Sequence, residues 1–266
     1  MNEAKTSIGL ALSGGGYKGI AHAGVLHFLE EQGISINQLA GTSAGAIVGA
    51  LYLKGLRPLE ILDFFKSVNL FNWHHFTLRK AGLMDANSFE VYLKDIFKED
   101  TLGDLRIPLY ITATNMELGK LEIFEPETKI VDAVLASSAF PGIFSPYKIG
   151  DTVYSDGGIL NNFPTNLIHS KNKYIIGVNV CPLQEVKEED LHSIRSVTVR
   201  AYELMTTINN RQKATLCDWL IEPKELSNYT TFERNKLRMN EIFELGYSTA
   251  KESFMDKAVN FEKAVL

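Results

Sequence analysis

The 266-residue sequence contains two cysteines, Cys181 and Cys217, with no Cys-x-x-Cys or histidine-rich spacing around them. That excludes a disulfide framework and offers no metal site. No apolar run approaches the ~20 residues of a membrane span. The run from Ile8 to Leu12 is too brief for a signal-peptide core. The expectation is a reduced, cytoplasmic protein whose membrane contact, if any, is peripheral. Basic charge is scarce as well: the net charge is -5 and no basic run is interleaved with aromatics, which argues against nucleic acid as a partner. No Pro/Ser/Gly-rich or charged linker interrupts the chain, and 45% hydrophobic content can fill a core. One domain over residues 1–266 is expected, with a motif-bearing core over about 8–181 and a mainly helical part over about 184–266. Repeats and low-complexity segments are missing too, no cofactor is implied, and nothing sets the oligomeric state.

What the sequence does have is alternation. Short β-like runs at Ile8 to Ser13, around Leu39, and at Leu109 to Thr114, Leu121 to Phe124, Tyr174 to Val180 and Trp219 to Ile221 are separated by longer helical patterns. Those patterns cover about Lys18 to Gln32, Ala44 to Lys54, a segment opened by Pro58, one capped at Asn87-Ser88-Phe89-Glu90, Glu188 to Lys213, and the C-terminal stretch. Gly33 and Gly55 are placed as helix stops. Such alternation reads as parallel α/β.

Within it lies the pentapeptide Gly41-Thr42-Ser43-Ala44-Gly45, between the Leu39 strand and a strongly apolar helix. A strand, a sharp turn and a helix around a serine make a nucleophile elbow, which needs tiny neighbours because strand and helix approach closely. Earlier, Gly14-Gly15-Gly16-Tyr17-Lys18-Gly19 follows a strand and opens a helix. This also fits a dinucleotide-binding pattern, but the acidic residue required at the end of the second strand is replaced by Leu39, Ala40 and Gly41. A Walker loop fails because Ile20 follows Gly19. Beside a serine elbow, glycine amides aimed at a developing oxyanion are the better use of this loop. Lys18 falls in the first helical turn, where the helix dipole disfavours a cation, so it is read either as an anion contact or as a solvated lysine.

A serine needs a base. None of the six histidines, His22, His27, His74, His75, His169 and His192, lies in a glycine-rich or turn motif that would display one. Asp156, in Tyr154-Ser155-Asp156-Gly157-Gly158, is the stronger candidate beside an elbow, although Asp-Gly-Gly alone is a turn.

Together with Ala136-Ser137-Ser138-Ala139-Phe140-Pro141, these motifs resemble, in order and spacing, the patatin-like phospholipase family, from Ile8 to about Pro164. The resemblance implies a three-layer α/β/α sandwich with a central, mostly parallel sheet and a Ser-Asp dyad acting on lipid acyl esters. It places the nucleophile at Ser43, the base at Asp156 and the oxyanion hole at Gly14, Gly15 and Gly16. Lys18 matches the loop's cationic position, and Gly19, Gly41, Gly45, Gly157 and Gly158 complete the motifs. The expected activity is a phospholipase A or lysophospholipase. An acyltransferase using the same acyl-serine and a weakly catalytic lipid-binding regulator stand as alternatives.

An apolar setting would raise the Asp156 pKa, and Phe140, Phe144 and Phe163 are candidates to provide it. The aromatic stretch over 64–83, with Phe64, Phe65, Leu70, Phe71, Trp73 and Phe76, reads as core packing or as a lid facing lipid.

Overall fold

The computed structural model describes residues 7–68, 87–183 and 185–265. Five strands, β1 (Ile8–Leu12), β2 (Gln38–Thr42), β3 (Leu109–Asn115), β7 (Tyr174–Val178) and β8 (Trp219–Ile221), form a parallel block in the order β3-β2-β1-β7-β8. The antiparallel strands β4 (Lys120–Ile123), β5 (Tyr147–Ile149) and β6 (Thr152–Asp156) extend the β3 edge. The result is a mixed, mostly parallel sheet with helices on both faces. Successive side chains of a strand point to opposite faces. Leu10, Leu12, Leu39, Ile176 and Val178 therefore enter the larger core, while Ala11, Ala40 and Ile175 join Phe163 and Ile168 in a smaller one on the other side. A sheet covered on both faces needs apolar strands, and the central β1 (Ile-Gly-Leu-Ala-Leu) and β7 (Tyr-Ile-Ile-Gly-Val) are buried throughout.

The helices are α1 (Ile20–Glu31), α2 (Ala44–Lys54), α3 (Pro58–Ser67), α4 (Asn87–Phe97), α5 (Ile130–Ser137), α6 (Gly158–Asn161), α7 (Ile194–Ala214) and α8 (Lys236–Val265). Helix α8 packs along α1, and α2 packs against β2 and α5. Gly33 and Gly55 end α1 and α2 with φ of 66° and 108°, and Pro58 opens α3.

The structure departs from the sequence pattern in four places. Lys18 belongs to a 3-10 turn over Gly16–Gly19, and α1 begins only at Ile20. Helix α7 begins at Ile194 after a separate 3-10 turn at Glu188–Asp190, because the Ser193 side chain accepts from the Ser196 amide and caps it there. Strands β5 (Tyr-Lys-Ile) and β6 (Thr-Val-Tyr-Ser-Asp) mix polar and apolar residues and lack the apolar run that marks the buried strands. Helix α5 is a short apolar run that periodicity cannot tell from a buried strand. Among the described residues, no helix is long and apolar enough to cross a membrane, and no group of His, Cys, Asp and Glu could hold a metal ion.

Candidate active site

Ser43 occupies the turn between the last residue of β2 and the first of α2, with φ 52° and ψ -118°. A left-handed serine costs the backbone about 1–3 kcal/mol and persists only where its surroundings over-determine it. Here a Cβ on Gly41 would strike the backbone of Gly45, and one on Gly45 would strike the Leu12 carbonyl. The two motif glycines thus let β2, α2 and β1 close around the turn. The Ser43 amide donates to Ser137 Oγ at 2.8 Å, and its carbonyl accepts from the Ile47 amide at 3.0 Å.

Asp156 is the last residue of β6, paired with Ala113 of β3, and is buried. Its Oδ1 accepts from the Gly158 amide at 2.7 Å and from the Tyr202 hydroxyl at 3.3 Å. Oδ2 makes no regular hydrogen bond, and the Ser43 side chain stands beside the carboxylate as a further donor. Burial pushes the Asp156 pKa up to about 6, against the opposing pull of Ser43, Gly158 and Tyr202. The segment from Ser137 to Ala139 ties the two halves together. Besides holding the Ser43 amide through Ser137 Oγ, it accepts the Gly157 amide on the Ser137 carbonyl and the Asp156 amide on the Ala139 carbonyl, at 3.3 and 3.0 Å.

The glycine loop follows β1. Gly14 donates its amide to the Asn162 carbonyl at 3.0 Å, so that N–H is already engaged, whereas those of Gly15 and Gly16 have no acceptor among the described residues. Gly16 has φ 58°, and a Cβ there would run into the Thr231 carbonyl. The loop is held from behind: buried His22 Nε2 bonds the Ser13 carbonyl at 2.8 Å, and burial lowers its pKa to about 4, so the ring is neutral and donates. The Cys181 thiol donates to the Gly14 carbonyl at 3.1 Å, with its pKa raised to about 11 by burial. A thiol so strongly held protonated is a structural donor, not a nucleophile. Lys18 is buried at 6% exposure, and its ammonium has no hydrogen bond or ion pair among the described residues.

One cavity brings Ser43, Asp156, Gly15, Gly16 and Lys18 together. Ile47, Phe65, Leu135, Phe140 and Phe144 line it with hydrocarbon, and Tyr202 and Glu203 of α7 supply a polar side. Gly19, Gly41, Gly45, Gly157 and Gly158 stand behind this wall as packing positions. Phe163 does not belong to the setting of Asp156. Its ring lies in the smaller core on the other face of the sheet. No described histidine lines the cavity: His169 and His192 are exposed, and His27 pairs with Glu31. Of the aromatic stretch, Phe65 faces the cavity and Phe64 packs on Phe65 and Phe89. Leu70, Phe71, Trp73 and Phe76 lie outside the described residues, as do His74 and His75.

Sequence reasoning missed Tyr202. It sits on α7, joins Asp156 across the chain, and has its hydroxyl pKa held well above the ordinary value by burial and by the carboxylate. A lone tyrosine in a helix carries no local signal of such a role. Ser137 did carry one, a serine pair inside a small-residue run, but its hydrogen bond to the elbow appears only in three dimensions.

The patatin-like phospholipase family model matches residues 10–168. Lysophospholipase NTE1 of Debaryomyces hansenii is 32% identical over 183 residues, covering 65% of this chain and 12% of that protein. An uncharacterised NTE family protein of Mycobacterium tuberculosis is 32% identical over 160 residues, or 59% of this chain and 44% of its own. The chain thus spans less than half the length of these curated relatives. Among solved structures, VipD from Legionella pneumophila shares the fold with a TM-score of 0.57 at 18% identity, over 95% of this chain and 67% of that one. The matched residues run through both Ser43 and Asp156 and make up more than half of the sequence, and the chain belongs to the patatin-like phospholipase family.

Proposed function

We propose that this chain is a cytoplasmic serine acyl hydrolase that cleaves lipid acyl esters, of phospholipase A or lysophospholipase type, through a Ser43–Asp156 dyad. The observation that carries the reading is the buried Asp156 carboxylate, with a pKa near 6, standing beside a serine in a strained left-handed turn. A base of this strength is largely ionised at neutral pH yet takes a proton more readily than an ordinary aspartate. Hydrophobic cavity walls and a family whose relatives include a lysophospholipase support a lipid substrate.

In the first step Asp156 accepts the Ser43 proton as Oγ attacks the ester carbonyl. The oxyanion meets the free amides of Gly15 and Gly16, preorganised where charge develops. Gly14, whose amide donates to the Asn162 carbonyl, shapes the loop without donating to the oxyanion. Collapse of the tetrahedral intermediate passes the proton from Asp156 to the leaving alcohol and leaves Ser43 acylated. Water enters, Asp156 takes its proton, and a second collapse releases the fatty acid and restores the serine. Lys18, a buried cation in the cavity wall with no partner among the described residues, is positioned for an anionic group of the substrate.

Hydrolysis profiled across lysophospholipids, diacyl phospholipids, glycerides and soluble aryl esters tests the reading. Fatty acid release from the phospholipids that disappears in Ser43→Ala is expected. Absence of ester hydrolysis by the wild-type protein on the whole panel would overturn it.

A further inference from the structure

Helix α7 has two faces of opposite character. Val199, Tyr202, Glu203, Thr206 and Thr207 turn inwards to the cavity of Ser43 and Asp156. Val197, Ala201, Leu204, Met205 and Ile208 recur at three- and four-residue steps on the other side, the spacing of one helical stripe. This stripe faces away from the protein: Met205 is 59% exposed and Ile208 71%. Exposed apolar residues scattered singly need no explanation, but a continuous stripe on a helix marks a docking face.

We infer that the outer face of α7 docks on a lipid surface and so sets the cavity mouth against its substrate. The inference rests on the lipid-hydrolase reading for the identity of the occupant. Three features favour lipid over a second copy of the chain. The stripe is continuous, across a single helix, with the wall of a cavity proposed to take lipid esters. From Val197 to Ile208 it is one helix wide, ~17 Å by ~10 Å by helix geometry, far below the ~800 Å² per partner of a stable protein interface. Of the α7 cations, Arg200 turns to the cavity and pairs with Glu203, and Lys213 bonds Asn161 Oδ1, whereas Arg211, three residues beyond Ile208, continues the stripe. Arg211 is exposed where the stripe ends. The acidic turn Glu188–Asp190 lies beyond the N-terminal end of the helix, so the C-terminal half, from Leu204 to Arg211, makes the deepest contact with an anionic surface.

The test is co-sedimentation of the full chain with phosphatidylcholine vesicles, with and without phosphatidylglycerol. It is run on wild type, on Met205→Glu/Ile208→Glu, and on Leu118→Glu, an exposed apolar residue elsewhere. A soluble short-chain aryl ester is assayed in parallel. The double variant is expected to lose at least about tenfold in vesicle partition, by the loss of two apolar contacts, while its kcat/KM on the soluble ester stays unchanged. Leu118→Glu should partition like wild type. If the double variant melts early, Ile208→Ser alone reads the same contrast. Wild-type partition unaffected by the α7 changes overturns the inference, as does a wild type that does not partition. A wild-type dimer that the double variant dissociates while vesicle partition persists assigns the face to a second copy instead. Partition that depends on α7 in a protein without esterase activity leaves the docking face standing and removes only the hydrolase reading.

Discussion

The strand ends and α7 meet in the same cavity, but they hold it differently. At the strand ends the site is fixed through the backbone: the Ser43 amide on Ser137 Oγ, the Asp156 amide on the Ala139 carbonyl and the Gly14 amide on the Asn162 carbonyl. Helix α7 reaches the proposed base through a side chain, the Tyr202 hydroxyl at 3.3 Å from Asp156 Oδ1, braced by the Phe140 ring with centroids 4.5 Å apart. The first region sets where the atoms are. The second adjusts the charge on one of them. Ligands of open α/β sheets sit at the carboxyl ends of the strands, and here the helix from the C-terminal part closes over that site.

If the contrast holds, substitutions at the strand ends should destroy turnover, and those on α7 should move a pKa. Gly16→Ala should lower kcat by about 10²- to 10³-fold, the scale of a lost oxyanion donor, because the new Cβ disfavours φ 58° and meets the Thr231 carbonyl. Steady-state kinetics on a soluble ester reads this, and a variant within threefold of wild type would remove the loop from the mechanism.

Lys18→Met should reduce kcat/KM for anionic phospholipids by roughly tenfold, the value of one charge-assisted contact, and leave neutral esters nearly unchanged. Equal losses on both would return Lys18 to a packing role.

Tyr202→Phe should have the smallest effect at neutral pH, a few-fold at most, but a distinctive one. Its hydroxyl lowers the Asp156 pKa, so its removal should move the acidic limb of the kcat/KM profile upward from about 6. An unmoved limb would make Tyr202 structural only.

Asp156 also separates function from stability. Its pKa of about 6 lies above the ordinary aspartate value of 3.8, so between those pH values the folded state binds the proton more tightly than the unfolded one. Stability therefore falls as pH rises through this window, and above it the buried charge costs the fold on the order of 2–3 kcal/mol. Asp156→Asn should melt higher than wild type at pH 8, with the difference closing near pH 4. Equal melting curves at both would show that the carboxylate is not strained by burial.

The local geometry of the first region was legible in the sequence because sterics write it there. Gly41 and Gly45 are needed for the elbow, and a glycine run after β1 for the loop. The parallel strands were legible because they are buried on both faces. The strand that presents Asp156 was not: it carries Thr152, Ser155 and Asp156 where β1 and β7 are apolar throughout, its first three residues are only half-buried, and its partner β3 is distant in the chain. Tyr202 was hidden for the same reason, as was the position of Phe163 behind the sheet, since one ring among apolar neighbours does not declare its face. The engagement of Gly14 by Asn162 joins two motifs that the sequence presents as separate.

The central claim is that Asp156, not a histidine, activates Ser43. Its most direct test is the rate of Ser43 labelling by a fluorophosphonate probe at pH 7.5, measured on wild type, Asp156→Asn and His169→Gln/His192→Gln. The dyad predicts that the histidine variant labels within about threefold of wild type and that Asp156→Asn slows by at least ~10²-fold, the lower range for loss of a general base. Rapid labelling of Asp156→Asn together with loss of labelling in the histidine variant would contradict it.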